Sequence, residues 1–221
     1  MCFSATASFT SGAVLVTAGL ITLSQIKSRK QVLFAVIPLI FGLQQISEGF
    51  LWLSIDHQEY YRWNRTATHI FAVFGQIVWP VWVPLSLIQM EGQDKKLKIL
   101  KFMLLVGILL AIYLAYNIIS QDVTANAIGG HIDYMFDFPL KYTMIIASII
   151  YVLPTVMSHF LSSHKQVRTL GYLVVVSLSV TVFFYSQYIF SVWCFFAAII
   201  SVSIFFIIRS LNKEMEIEVI K

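Results

Sequence analysis

A chain of 221 residues that is 58% hydrophobic and 12% charged, with a mean hydropathy of +0.80, lies outside the composition of soluble domains. Its apolar residues come in long blocks rather than in one-faced stripes, and no stretch is polar enough for a second, soluble domain. The net charge of +4 includes no run of basics and aromatics like a nucleic-acid face, so no nucleic-acid partner is expected and the basic residues are read as topology signals.

Seven apolar segments follow one another near Ser8–Ile26, Val32–Ser54, Ala67–Met90, Ile99–Ile119, Lys141–Leu161, Leu170–Gln187 and Ile189–Ile208. Each holds roughly the ~20 residues that a helix needs to cross a ~30 Å hydrocarbon core. Only Ser186-Gln187-Tyr188 divides the last two, and together they are too long for one crossing. The fold expected is therefore all-α and integral to the membrane, with seven transmembrane helices over residues 1–210 and a short tail over 211–221. No cleavable signal peptide is expected, because the first apolar run has its positive charges after it.

Lys27, Arg29 and Lys30 follow the first segment, and Lys95, Lys96, Lys98 and Lys101 follow the third. Lys165 and Arg168 follow the fifth, and Arg209, Lys213 and Lys221 end the chain. Twelve of the 15 basic residues thus gather at one end of the bundle, leaving Arg62, Arg65 and Lys141 at the other. The basic end is expected to be cytoplasmic, with the N-terminus outside and the C-terminus inside, in a multi-pass plasma-membrane protein (a bacterial inner membrane, if the source is bacterial) whose immediate partner is the lipid bilayer. The longest outer loop, Gln121–Pro139, contains Gly129-Gly130, which permits a tight reversal. It reads either as a cap folded over the bundle or as a solvated connector. Asn64-Arg65-Thr66 is formally a glycosylation sequon on the same side.

Pro38, Pro80, Pro84 and Pro154 fall inside crossings. Each removes a helical N–H and frees an upstream carbonyl, so kinks are expected, in the third crossing near its middle.

Glu48 is the only acid inside any apolar run, and an intramembrane carboxylate is a functional-site candidate by default because its burial is costly. Gln45, Glu48 and Trp52 recur at i, i+3 and i+7, and Gln44 lies one turn from Glu48. That polar stripe must face protein or water. Six residues at ~1.5 Å place Glu48 about 9 Å below the outer end. Cys194 and Thr181 sit at similar depth on the last two crossings, His69 and Gln76 share a face of the third, and Asn117 lies near the outer end of the fourth. These groups point to an outward-opening polar pocket. A neutral Glu48 acting as interhelical glue is the competing reading, and it applies to Gln44 and Gln45 as well. His131 is a candidate from the outer loop, whereas His159 and His164 read as headgroup-level residues of the basic end.

Ser191, Cys194, Ala198 and Ser201 form a small-residue face whose first meaning is close packing. Cys2, in the uncharged start Met1–Ser8, is read as a packed residue, a disulfide partner of Cys194, or, with the initiator Met removed, an amine–thiol pair able to chelate or attack. Two cysteines are too few for a disulfide framework or a cysteine-rich metal site, and no metal set or cofactor is assigned. The last crossing has no lysine for a retinal Schiff base, and phosphate-loop, His-Glu-x-x-His and serine-elbow motifs are missing.

The opening Met1–Ala5 with Ser8-Phe9 resembles the start shared by a family of small polytopic membrane proteins, chiefly bacterial and uncharacterised. The resemblance runs on through Phe41-Gly42, Gln44-Gln45, Glu48-Gly49, Trp52, Trp79-Pro80, Trp82, Pro84, His131-Ile132 and Ser191–Ala197. It implies seven crossings and no assigned activity. Two functions stay open. One is a sensor or transporter binding a small-molecule or lipid-like ligand around Glu48, with Gln44, Gln45, Trp52, His131, Cys194 and Cys2 as lining. The other is a membrane-embedded hydrolase, with or without a metal, using Glu48, His131 and Cys2. The oligomeric state is left open.

Overall fold

The computed structural model describes residues 4–137 and 141–220. Among them, six helices are long and apolar enough to cross a membrane: α1 (Ala5–Ser24), α2 (Arg29–Asp56), α3 (Gln58–Met90), α4 (Asp94–Ser120), α6 (Lys165–Phe184) and α7 (Ser186–Ile217). A shorter apolar helix, α5 (Ile145–Phe160), lies between α4 and α6. The seven helices coincide with the seven apolar segments, and a 3-10 turn at Ser186–Tyr188 stands where the last two were divided. The last helix does not end with the apolar run. It continues past residue 210, with Leu211 and Asn212 buried against the bundle.

Lipid tails are as apolar as leucine, so burial of apolar surface does little to hold such helices together; close approach and polar contacts must. α1 and α2 make the most extensive helix–helix contact. Their approach depends on residues without a Cβ. A Cβ at Gly19 would lie 2.6 Å from the Leu39 amide nitrogen, and one at Gly42 would lie 2.8 Å from that of Val16. Ser4 caps α1 by accepting from the Ala7 amide, and Ser28 and Gln31 form a capping box at the start of α2.

Two of the prolines, Pro80 and Pro154, stand at π turns. Phe74–Val78, just ahead of Pro80, and Leu153–Met157, around Pro154, are each one π-helical turn inside an otherwise α-helical run. Such a turn leaves carbonyls for another partner, and here Tyr151 Oη donates to Gly75 O, tying α5 to α3.

The segment 121–137 is a β-hairpin. β1 (Val123–Ile128) and β2 (His131–Phe136) pair antiparallel, Val123 opposite Phe136 and Ile128 opposite His131. The turn is Gly129-Gly130, with φ of +57° and +79°, the pair of left-handed residues that a two-residue hairpin turn of matching twist requires. Val123, Ala125, Ile132 and Tyr134 alternate inward; Ala125, Ile132 and Tyr134 are buried against α2, α3 and α7, and Val123 against Ala72 of α3 and Ile118 of α4. Tyr134 stacks on Phe71 at 4.8 Å, and Phe190 meets both rings edge-on. The hairpin is therefore the cap of this end of the bundle.

The opposite, basic end is closed by polar contacts. Glu91 accepts from the amides of Gly92, Gln93 and Ser163 and from Ser163 Oγ, joining the α3–α4 and α5–α6 turns. Asn212 accepts from Gln31 Nε2 and donates to Gln25 O, and Lys27 pairs with Glu216.

Candidate functional site

α2 turns its polar stripe into the protein. Gln44, Gln45 and Glu48 are 0% exposed and Trp52 is 4% exposed. The four sit within nine residues of one helix and on one side of it, so a single rotational setting buries them together. That setting is fixed on the other side by the glycine face packed on α1.

Three helices meet the stripe. Ser191 Oγ, from α7, donates to Glu48 Oε1 at 2.6 Å. Trp79 Nε1, from α3, donates to Gln44 Oε1 at 2.9 Å, and its ring stacks on Phe41 at 3.8 Å between centroids. Ser11 Oγ, from α1, lies 3.3 Å from Gln45 Oε1. The buried Cys194 thiol of α7 lies beside Gln44 and Glu48. Gln45 Nε2, Trp52 Nε1 and Ser8 Oγ are buried with no hydrogen-bond partner among the described residues. The cluster is thus a carboxyl flanked by more donors than the described residues satisfy. Such groups usually find a partner, because a buried donor left alone costs roughly 1–3 kcal/mol.

On the basic side of this cluster lies a cavity of about 70 Å³, walled by Phe41, Trp79, Tyr151, Thr155, His159, Trp193 and Cys194 among mostly apolar neighbours. Trp79 and Cys194 belong to both cluster and cavity. His159, read from sequence as a headgroup-level residue, is instead buried in this wall, with Nδ1 against Val156 O at 3.3 Å. The π turn just before it offsets the helical register and carries the ring inward.

The other sequence candidates are placed as follows. Cys194 is a buried free thiol, while Cys2 lies outside the described residues. His131 is half-buried on β2, stacked on Tyr188 at 4.7 Å and edge-on to Tyr185, and burial holds its imidazole below the ordinary value. Thr181 and Asn117 are buried but turn their side chains onto their own helices, donating to Ser177 O and Tyr113 O. His69 does the same, its Nδ1 against Arg65 O. Among the described residues no group of three His, Cys, Asp or Glu side chains is arranged to hold a metal ion.

Sequence reasoning missed the partner Ser11 and the carboxylate of Glu91, and it did not pair Trp79 or Ser191 with the stripe. Ser11 is one of several small hydroxyl residues in the first crossing, so composition does not single it out, yet Trp79-Pro80 already stood out as an aromatic deep in a crossing. Glu91 sits one residue beyond an apolar run, where acids are ordinary.

A family model described as "Family of unknown function (DUF6629)" matches residues 1–218. Neither the curated proteins nor the solved structures contain a match.

Proposed function

We propose that this chain, which belongs to the DUF6629 family of unknown function, is a multi-pass plasma-membrane protein that binds a small or lipid-like ligand among the polar groups around Glu48, as a sensor or transporter. The N-terminus is outside and the basic end cytoplasmic, which the gathering of Lys and Arg at that end supports. Glu48 is the charge or proton element; Gln44, Gln45 and Trp52 supply orienting contacts, and the cavity below Trp79 and Cys194 takes the apolar part.

The observation that carries this reading is the set of buried donors, Gln45 Nε2 and Trp52 Nε1, on the same helix face as a buried carboxyl. Glue between helices would be expected to pair its own groups. A ligand with an acceptor group would complete them, and a few polar atoms in a mostly apolar enclosure is the usual form of a small-molecule site. No observation favours the hydrolytic alternative.

The test is an experimental density map of protein purified without added ligand. Non-protein density touching Gln45 Nε2 or Trp52 Nε1 is expected. A map in which both groups meet only protein atoms, with Glu48 held by protein groups alone, would overturn the reading.

A further inference from the structure

A second concavity opens on the flank of the bundle, away from Glu48. It is a groove of about 560 Å³ between α2 and α3, floored by Leu43, Ile46, Phe50 and Leu53 and closed at the hairpin end by Tyr60 and Trp63. From Leu43 to Leu53 it runs ten residues along α2, about 15 Å at 1.5 Å per residue. That is half of a ~30 Å hydrocarbon core, the depth of one leaflet.

The mouth is built on a 3-10 helix, Gln58–Trp63. With three residues per turn, side chains three apart stand one above the other. Tyr60 and Trp63 are such a pair and both line the groove. Glu59 and Arg62 are another, one residue around the helix, and Asp56 and Arg65 flank the 3-10 helix in the chain. All four charged residues are exposed, and among the described residues no ion pair joins them. Arg62 is held instead over the Trp63 ring, 5.4 Å from its centroid. His57 is the remaining titratable side chain of the mouth besides the two tyrosines, edge-on to Tyr60.

We propose that this groove binds one glycerophospholipid with an amine-bearing headgroup. One acyl chain lies along α2 from Leu53 to Leu43, and the glycerol sits at the level of Tyr60 and Trp63, where amphipathic rings favour the interface. Arg62, with Arg65 behind it, takes the phosphate, since the guanidinium fork matches its oxygens. Glu59, with Asp56, takes the ammonium. A headgroup of single negative charge meets the arginines but is opposed by the acids. A neutral apolar molecule uses neither.

Native mass spectrometry in detergent, with phosphatidylethanolamine and phosphatidylglycerol added in equal amounts, tests this. The wild-type protein is expected to retain one phosphatidylethanolamine about fivefold over phosphatidylglycerol, a ratio at the upper end for exposed charge pairs. Glu59→Gln should erase that preference with total lipid retained. Arg62→Ala should weaken both lipids, and Thr66→Trp, at an exposed position on the groove wall, should block both. These positions are exposed, so an unchanged thermal midpoint is expected and reports intact folding. Retention unchanged in Arg62→Ala and Thr66→Trp would overturn the proposal. So would a Thr66→Trp variant that changes oligomeric state but not lipid retention, which would make a second copy of the chain the occupant.

Discussion

Ser191 Oγ and Glu48 Oε1 lie 2.6 Å apart across α7 and α2, joining residues 143 positions apart in the chain. The contact fixes the carboxyl inside the bundle, and it makes the last helix part of the setting of the second. Replacing Ser191 by Ala removes a charge-capable acceptor's donor where water does not reach. Interhelical hydrogen bonds in membranes average about 0.6 kcal/mol, but removing one from a buried carboxyl adds part of its desolvation penalty, so about 1–2 kcal/mol is expected. Thermal unfolding in micelles should show the Ser191→Ala midpoint lowered by several degrees, while Glu48→Gln, which keeps an acceptor oxygen, should shift it less.

Close packing around the proline of α3 gives a sharper contrast. A Cβ at Gly107 of α4 would lie 1.9 Å from Pro80 O, a backbone atom that cannot turn aside, whereas a Cβ at Gly92 meets nothing within 4 Å. Gly107→Ala is expected to cost about 3 kcal/mol or more, with lost expression or a much lower midpoint. Gly92→Ala should leave both unchanged in the same expression and melting assay.

The hairpin turn isolates backbone strain from packing, because a Cβ at Gly129 meets nothing within 4 Å while its φ is +57°. Gly129→Ala should cost about 1–2 kcal/mol of hairpin stability, read as faster hydrogen exchange at the ladder amides of Asp133 and Met135. Gly129→Asn, which tolerates that backbone, should be closer to wild type.

Glu91 gives a pH prediction at the basic end. Burial pushes its carboxyl up, but the hydrogen bonds from Ser163, Gln93 and Gly92 together outweigh that and hold it below the ordinary carboxylate value. A depressed folded-state value means that its stabilisation is complete above the unfolded-state value, about 4.3, and is lost as pH falls through the lower folded one. Wild-type protein should therefore exceed Glu91→Gln in stability at neutral pH, with the gap closing under acid conditions. Urea unfolding of both across pH 3–7 measures it; a gap independent of pH would contradict the ionised clasp.

Much of this architecture was legible because hydrophobic runs record membrane thickness directly. The segments Val32–Ser54 and Ile99–Ile119 each lie within one observed helix, and a single acid in an apolar run marked the stripe that α2 buries. Less was legible where a residue's meaning depends on its partner. Gly19 and Gly42 look like ordinary small residues until Leu39 and Val16 are seen against them. The strands escaped notice because the buried face of β1 holds only Val123 and Ala125, too little to set up a visible alternation. His159 was misplaced because a π turn shifts the helical register without changing the composition around it.

Mass spectrometry of small molecules released from purified wild-type and Glu48→Gln protein tests the polar site most directly. A compound near one equivalent per wild-type chain, reduced at least about tenfold in a Glu48→Gln variant that still unfolds cooperatively, is the expected result, corresponding to loss of one charge-assisted contact. Equal amounts in the two proteins, or none in either, would contradict a ligand held at Glu48.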